Sequence, residues 1–241
     1  MSILAEGIDR FAPALRARSR IVGAMASRRR GFILHHTQLR PVPNLPGVRL
    51  HLADEVLPLW HALQIETDDP DTPLPYWAFA WAGGLALSRY LGEQPEVVAG
   101  RRAFELATGS GLVAIAALHA GAARVSATDI DPFAVEAVGL NARANGVRVD
   151  ASTADVLDDE TPPDADVILA GDTWYEAAIA ERMLPWLRRA SDAGIDVLIG
   201  DPGRRYLPRD HLIEMAGYDV RTTTELEDLE LKRGYVFRLR P

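Results

Sequence analysis

The chain of 241 residues contains no cysteine. Disulfide bridges, thiolate metal sites and cysteine nucleophiles are therefore excluded. No apolar run reaches the roughly 18 residues that a membrane-spanning helix needs, and the start of the chain lacks the charged and then apolar order of a secretory signal. We therefore expect a cytoplasmic protein that makes no membrane contact.

Lysine is also scarce, because Lys232 is the single lysine among 26 basic side chains. The arginines are unevenly placed: residues 1–53 carry nine of them against two acidic residues, whereas the whole chain has a formal net charge of -8. Apolar residues from Ile3 to Leu15 recur at helical spacing, and Pro13 divides the region into two predicted helices, the second ending near Met25. This pattern predicts a folded, solvated helical arm, with a surface for an acidic partner or an organelle transit peptide as the alternatives.

Residues 1–74 are predicted to combine this arm with a few short elements, and residues 75–241 to form the main domain. The short elements are strands at Leu39–Val42 and Val48–Leu52, a helix at Glu55–Gln64 and a loop at Thr67–Pro75. We expect the two strands to pack against the main sheet.

The main domain is organised around the segment Ala103–Leu112, which reads as a buried strand, a glycine turn and the start of a helix that reaches Ala120. Gly109 and Gly111 can adopt a positive φ and bring backbone N–H groups close to a ligand at the positive end of that helix. Such a loop is typical of nucleotide-type ligands. By itself it does not distinguish a nicotinamide cofactor from S-adenosylmethionine.

Strands and helices alternate regularly after this loop. The predicted strands are Arg124–Thr128, Val147–Thr153, Asp166–Ala170 and Asp196–Gly200, followed by two final strands at Tyr218–Thr224 and Tyr235–Leu239. One predicted helix stops at Gly92, and a second runs from Asp131 to Gly146. A third starts near Glu176 and is kinked or ended by Pro185. A fourth runs from Arg209 to Ala216 and closes at Gly217. The alternation predicts an α/β fold with a doubly wound parallel sheet, in which ligands lie at the carboxyl ends of the strands.

Acidic residues recur where these strands end. Glu105 lies in the first strand, and Asp129, Asp155 and Asp172 follow the second, third and fourth. A carboxylate at the end of the second strand can accept both ribose hydroxyls of a nucleotide cofactor. Glu105 and Asp155 favour S-adenosylmethionine, because its cationic methionine half is attracted to carboxylates and Asp155 is placed to meet an adenine amino group.

Aromatic residues concentrate before the glycine loop, where Tyr76, Trp77, Phe79 and Trp81 lie within six positions. A dense aromatic cluster can form core. Alternatively, one or two of these rings form a pocket wall, where an indole face packs on adenine or attracts a sulfonium or ammonium group. Both interpretations stay open, and Trp81 is the better pocket candidate.

Other classes of site lack their motifs. The six histidines show no metal-ligand spacing, and His35 and His36 would point to opposite faces of a strand, so we expect no metal. The absence of G-x-S-x-G and G-K-[ST] excludes esterase and P-loop sites. The acidic net charge disfavours nucleic acid as a partner.

The segments E-L-A-T-G-S-G-L at Glu105–Leu112 and T-D-I-D-P at Thr128–Pro132 resemble class I methyltransferases. These are Rossmann-like, seven-strand S-adenosylmethionine enzymes whose last strand is antiparallel. The aromatic stretch from Tyr76, D-T-W-Y at Asp172–Tyr175 and G-D-P-G-R at Gly200–Arg204 narrow the resemblance to the electron transfer flavoprotein β-subunit lysine methyltransferases, which carry a D-x-x-Y motif. The resemblance covers roughly residues 75–204. Ala107 stands where the family usually has glycine, and we expect it to keep a negative φ.

The resemblance implies methyl transfer from S-adenosylmethionine to a lysine of the electron transfer flavoprotein β subunit by a monomeric enzyme. Asp172 and Tyr175 would then be catalytic and handle the substrate amine. The implied cofactor-binding residues are Glu105, Gly109, Gly111, Asp129 and Asp155, with Trp77 and Trp81 flanking the cofactor. A small amine or nicotinamide-type substrate is the alternative on the same fold.

Interpretations from other classes are an NAD-dependent oxidoreductase and a non-catalytic binding protein. At the level of single residues, D-T-W-Y can also mark a capped helix start in which Asp172 binds backbone donors. Asp201 and Arg204 either brace a loop or contact substrate.

Overall fold

The computed structural model describes residues 23–222 and 231–240. Its helices are α1 (23–36), α2 (Val56–Thr67), α3 (Ala82–Glu93), α4 (Leu112–His119), α5 (Pro132–Ala144) and α6 (Ala177–Asp192). Its strands are β1 (Gln38–Pro41), β2 (Arg49–Leu52), β3 (Arg102–Leu106), β4 (Arg124–Asp129), β5 (Asp150–Thr153), β6 (Val167–Gly171), β7 (Asp196–Asp201), β8 (Leu212–Arg221) and β9 (Leu231–Leu239). No helix within the described ranges is long and apolar enough to cross a bilayer.

The main sheet has seven strands in the order β5-β4-β3-β6-β7-β9-β8. Strands β3 to β7 are parallel to one another, and β9 runs antiparallel to both β7 and β8. The predicted doubly wound seven-strand sheet with an antiparallel last strand is therefore confirmed. The order of strands reverses between β3 and β6, and a crevice for a ligand opens at that point in sheets of this kind.

Helices cover both faces of the sheet. On one face, Trp186 and Leu187 of α6 pack with Ile168 of β6 and Ile199 of β7. On the other face, α3 and α4 enclose Leu169, Leu198 and other side chains that point the opposite way. Burial on both faces explains why β6 and β7 read as continuous apolar runs.

Glycines let the first turn of α3 approach the sheet closely. A Cβ on Gly200 would collide with the carbonyl oxygen of Gly83, and a Cβ on Gly234 would lie 2.6 Å from the carbonyl oxygen of Ala82. Both clashes are with backbone atoms, which have little room to move. The start of α3 is therefore held against β7 and β9, beside the carboxyl end of β6.

The N-terminal helix differs from the prediction, because α1 continues to residue 36 and does not end near Met25. His35 and His36 therefore lie in a helix and not in a strand. Phe32 in α1 packs edge-on against Phe133 of α5, with ring centroids 5.6 Å apart, so the apolar side of α1 has a partner in the core. The helix predicted over Ile3–Leu15 lies outside the described residues.

Strands β1 and β2 form an antiparallel hairpin that is separate from the main sheet. Leu50 of β2 lies in one buried cluster with Leu85 of α3 and Val220 of β8. Two amide side chains hold this hairpin, one within α5 and one at its C-cap. Asn141 Oδ1 accepts from the His51 N–H at 2.8 Å, and Asn145 Oδ1 accepts from the Arg49 N–H at 2.8 Å. The hairpin therefore packs on α5.

The predicted helix over Arg209–Ala216 is wrong. The structure has one short 3₁₀ turn at Arg209–His211, followed directly by β8, which begins at Leu212 and continues through Gly217. Pairing with β9 satisfies the backbone hydrogen bonds of this segment, and that long-range pairing overrides local helix propensity.

Other predicted boundaries shift by a few residues. Gly92 lies inside α3, which ends at Glu93, and β5 begins at Asp150, three residues later than predicted. Pro185 lies within α6, which continues to Asp192.

Candidate active site

A cavity of about 390 Å³ opens at the carboxyl ends of β3, β4, β5 and β6. The predicted site residues that line it are Trp77, Trp81, Glu105, Gly109, Asp129, Asp155, Asp172 and Tyr175. Gly111 is the exception. The strand order therefore gathers residues that are almost one hundred positions apart into one concave site.

The glycine loop turns under the cavity. Gly109 has φ +53°, and its N–H donates to Asp129 Oδ2 at 2.8 Å, so this N–H serves the protein and not a ligand. Gly111 has φ +78° and precedes α4, and a Cβ there would press on Val138 at 3.1 Å. Gly111 therefore contributes to the packing of α4 against α5 and does not line the cavity, and its contact with the cofactor stays a prediction.

Ala107 does not keep the negative φ that was expected. Its φ is +50°, in the left-handed region where an L side chain crowds the following carbonyl oxygen. Such a conformation costs about 1 to 2 kcal/mol for a non-glycine residue. A glycine would adopt it without strain, so the alanine stores strain on the cavity wall.

Glu105 is 3% exposed and lies at the base of the cavity. Its Oε2 accepts from Thr108 Oγ1 at 2.5 Å and from the Ala114 N–H of α4 at 3.0 Å. Burial raises the pKa of Glu105 to about 8, and the nearby Asp129 adds to this shift, whereas the hydrogen bonds from Thr108 and Ala114 oppose it. Glu105 therefore ties β3, the glycine loop and α4 together.

Asp129 divides its two oxygens between neighbouring segments. Oδ2 accepts from Gly109, and Oδ1 accepts from the Asp131 N–H at 2.9 Å. Burial raises the pKa of Asp129 against these hydrogen bonds. Asp131 then caps α5 by accepting from the Phe133 N–H at 2.8 Å, as predicted for the D-P pair.

Asp155 also lines the cavity. Its partner could not be identified from the sequence. Arg182 of α6 donates to Asp155 Oδ2 at 3.0 Å and pairs with Asp158 at 2.9 Å. Both Asp155 and Arg182 line the cavity. Nothing in the local sequence of α6 marks Arg182, since its role depends on a loop more than twenty residues away.

The two tryptophans differ in their surroundings. Trp77 is 1% exposed and stacks on Phe133, with ring centroids 6.0 Å apart, so it is a core residue with one edge on the cavity. Trp81 is half-buried, and its Nε1 donates to the Tyr76 carbonyl oxygen at 3.0 Å. Tyr76 lies 5.7 Å from Trp81 and 5.4 Å from Tyr175, centroid to centroid. These three rings form an aromatic rim.

Asp172 is buried under this rim and has φ +60°. Its Oδ1 accepts from the Gly83 N–H at 3.0 Å, and its Oδ2 accepts from the Gly84 N–H at 2.5 Å. Arg204 Nη1 donates to Oδ1 at 2.5 Å. Burial raises the pKa of Asp172, and Arg204 opposes that shift. The helix that Asp172 caps is α3, distant in sequence, and not the helix that follows its own motif.

Asp201 and Arg204 brace the loop after β7. Asp201 is fully buried, and its Oδ1 accepts from the N–H groups of Gly203 and Arg204, both at 2.7 Å. Arg204 reaches from this loop to Asp172 and also lines the cavity. Lys232 of β9, which sequence reasoning did not place in the site, lines it as well.

Comparison with known proteins identifies the family. Residues 87–172 match the model of the ribosomal protein L11 methyltransferase (PrmA) family. The Xenopus laevis electron transfer flavoprotein beta subunit lysine methyltransferase is 38% identical over 218 residues, which cover 88% of this chain and 87% of the relative. The Caenorhabditis elegans homolog is 31% identical and covers 80% and 83%. This chain belongs to the electron transfer flavoprotein beta subunit lysine methyltransferase family.

The fold agrees with this membership. A solved methyltransferase structure from Pyrococcus horikoshii has a TM-score of 0.50 at 16% identity, covering 71% of this chain and 92% of that one. The likeness shows a shared fold. As a family member, the protein is a methyltransferase that uses S-adenosylmethionine, and the oxidoreductase interpretation is set aside.

The cavity fits this cofactor. Trp77 Nε1 and Thr173 Oγ1 are buried donors without a hydrogen-bond partner among the described residues, and both residues line the cavity. A Cβ on Gly109 would meet nothing closer than Trp77 Cα at 4.0 Å, so the loop leaves space on its cavity side. Open space, unsatisfied donors and carboxylates together suit a polar, cationic nucleoside.

Proposed function

We propose that this enzyme methylates a lysine of the electron transfer flavoprotein β subunit. Residues 75–241 would form the methyltransferase domain, and residues 1–74 the arm and hairpin beside it. The observation that supports the proposal best is that the predicted cofactor-binding carboxylates and the predicted catalytic residues line one cavity. Glu105 and Asp129, at the ends of β3 and β4, line the same cavity as Asp172 and Tyr175.

In this proposal the glycine-loop end holds the cofactor. Asp129 lies at the end of β4, where a ribose would be bound, and Asp155 lies on the lip where an adenine amino group would be met. Glu105 at the base is near the cationic methionine half, with Trp77 and Trp81 as flanking walls. When bound, S-adenosylmethionine supplies an electrophilic methyl group.

The substrate amine must reach the cavity with a free lone pair. Freeing a lysine of its proton at pH 7.4 costs about 4 kcal/mol in water, since its reference pKa is near 10.4. Desolvation under the aromatic rim and the nearby Arg204 guanidinium both lower the pKa of an amine. The proton leaves to solvent before methyl transfer, and the amine nitrogen then forms the new bond.

Asp172 has room for one more hydrogen bond. A carboxylate offers about four acceptor positions, and Gly83, Gly84 and Arg204 occupy three of them. The remaining position can orient the amine and stabilise the methylated cation. Tyr175 forms the wall beside it, and burial raises the pKa of its hydroxyl to about 12, so this group stays protonated.

The test is methyl transfer from radiolabelled S-adenosylmethionine to recombinant electron transfer flavoprotein, with gel separation and mass mapping. Label on a β-subunit lysine is the expected result. Absence of label there, while S-adenosylhomocysteine still raises the melting temperature, would contradict the substrate assignment. Nicotinamide and small amines in parallel reactions cover the alternative substrate class.

We also propose that the enzyme is a monomer in the cytoplasm. Light scattering of the purified protein tests the first statement, and fractionation of the source cells tests the second.

A further inference from the structure

A second cavity of about 490 Å³ lies next to the active site, on the loop after β7. We call it the arginine groove, and its charged or titratable lining residues are Arg204, Arg205, Arg209, Asp210 and His211. Arg204 lines both the groove and the active-site cavity, so the two are continuous through one side chain. A ligand in the groove would therefore lie beside the substrate end of the active site.

The groove has a net positive charge in a protein that is acidic overall, because three arginines line it against the single carboxylate of Asp210. Arg205 and Arg209 are exposed, and neither has a carboxylate oxygen within 4 Å among the described residues. Arg205 lies over the ring of Tyr206 at 5.8 Å, and Arg209 donates to the Gly203 carbonyl oxygen at 3.2 Å. Other surface arginines in the described ranges do pair with aspartate, as Arg102 does with Asp166 at 2.6 Å and Arg124 with Asp150 at 2.9 Å.

A third arginine extends this charge. Arg188 of α6 is exposed and donates to His211 Nδ1 at 2.6 Å. The groove also has an apolar floor of Leu184, Leu207 and Pro208. A cationic rim over an apolar floor is complementary to a peptide that carries carboxylates and apolar side chains.

We propose that the arginine groove binds an acidic segment of the protein substrate, next to the lysine that is methylated. The proposal rests on the function proposed above and adds a docking surface to it. An extended peptide advances about 3.3 Å per residue, and one arginine side chain separates the groove from the active site. The acidic residues would therefore lie within about four positions of the target lysine.

Binding of an acidic segment requires a basic rim around the groove, because the whole chain carries a net charge of -8. An acidic segment is repelled by such a protein at long range, and local arginines must offset this repulsion where the segment docks. Guanidinium groups suit the task, because each can bind a carboxylate with two parallel hydrogen bonds.

The test compares the double variant Arg205→Ser, Arg209→Ser with the control Arg143→Ser. Arg143 is an exposed arginine in the last turn of α5, and α5 begins at the cavity and runs about 20 Å away from it. We expect the double variant to raise KM for the β subunit about fivefold to tenfold with kcat within twofold, and the control to change neither. S-adenosylhomocysteine affinity should stay unchanged in both.

A second readout does not depend on turnover. Fluorescence anisotropy with a labelled hexaglutamate peptide should show binding to wild type that weakens about fivefold in the double variant and falls with added NaCl. Equal binding of hexaglutamate by the double variant would overturn the proposal. So would an unchanged KM for a β subunit that wild type methylates. Preferential binding of an oligouridylate over hexaglutamate would assign the groove to RNA instead.

The two readouts separate the two proposals. If wild type does not methylate the β subunit but hexaglutamate binding still depends on Arg205 and Arg209, the substrate is wrong and the groove is right. If methylation is seen and neither KM nor binding depends on these arginines, the groove is wrong and the substrate is right.

Discussion

Asp172→Asn separates the structural contribution of Asp172 from its proposed contact with the substrate. Asparagine tolerates the left-handed backbone at φ +60°, so this change adds little backbone strain. It removes the charge that pairs with Arg204, and it replaces one of the oxygens that cap α3 with an amide nitrogen. The perturbation is therefore electrostatic and local.

The expected loss of stability follows from these contacts. A weakened helix cap costs about 1 kcal/mol, and a hydrogen bond to a charged group in a mostly buried position contributes about 1.5 to 3 kcal/mol. Together they give about 2 to 4 kcal/mol in the free energy of unfolding. For a chain of this length this corresponds to a fall of roughly 5 to 15 °C in Tm.

The assay combines thermal unfolding, S-adenosylhomocysteine binding and methyl transfer on the same preparation. We expect a lower Tm, cofactor binding that is largely retained below the transition, and loss of turnover. One kcal/mol of stability corresponds to roughly 2 to 4 °C in Tm for a chain of this length, so a Tm within about 2 °C of wild type would refute the role of Asp172 in joining α3 to the loop after β7. Full activity in the folded variant would refute its contact with the substrate amine.

Three further changes test the rest of the site. Ala107→Gly should relieve the positive-φ strain and raise the free energy of unfolding by about 1 kcal/mol or less, because the larger unfolded-state entropy of glycine offsets part of the gain. Urea unfolding measures this change, and a loss of stability would contradict the argument. Burial raises the pKa of Glu105 from an ordinary 4.5 to about 8, so its stabilising contribution is full below about pH 4.5 and is lost as pH rises through 8. Glu105→Gln, which mimics the protonated form, should therefore gain in Tm over wild type as pH rises from 5 to 9, and a constant difference would show that Glu105 does not titrate in this window. Gly200→Ala should lower the free energy of unfolding by at least about 2 kcal/mol, because the added Cβ meets backbone atoms of α3. The control Gly139→Ala, in open space on α5, should stabilise the protein slightly. Equal effects of the two variants in urea unfolding would argue against close packing of α3.

Local patterns could predict the parts of the fold that depend on near neighbours. The strand, glycine loop and helix from Ala103 to Ala120 and the D-P cap of α5 depend on contacts within a few residues, and both are confirmed. Segment 209–216 could not be predicted in this way. Its conformation depends on pairing with β9, and no local pattern carries that information.

The same limit applies to the site. The cavity gathers the predicted acidic residues, because parallel strands bring their carboxyl ends to one edge of the sheet. The partners of these residues come from distant segments: Gly83 and Gly84 for Asp172, and Arg182 for Asp155. A sequence motif indicates which side chains meet a ligand, but it does not indicate which of them also hold the protein together.

The position of β9 affects the order in which the sheet can form. Because β9 lies between β7 and β8, β8 has no strand to pair with until β9 has been synthesised. During translation, β7 and β8 would both present open edges, and open edges invite pairing with other chains. The final hairpin therefore closes the sheet in one late step, and that step also brings Lys232 to the cavity and Gly234 beneath α3.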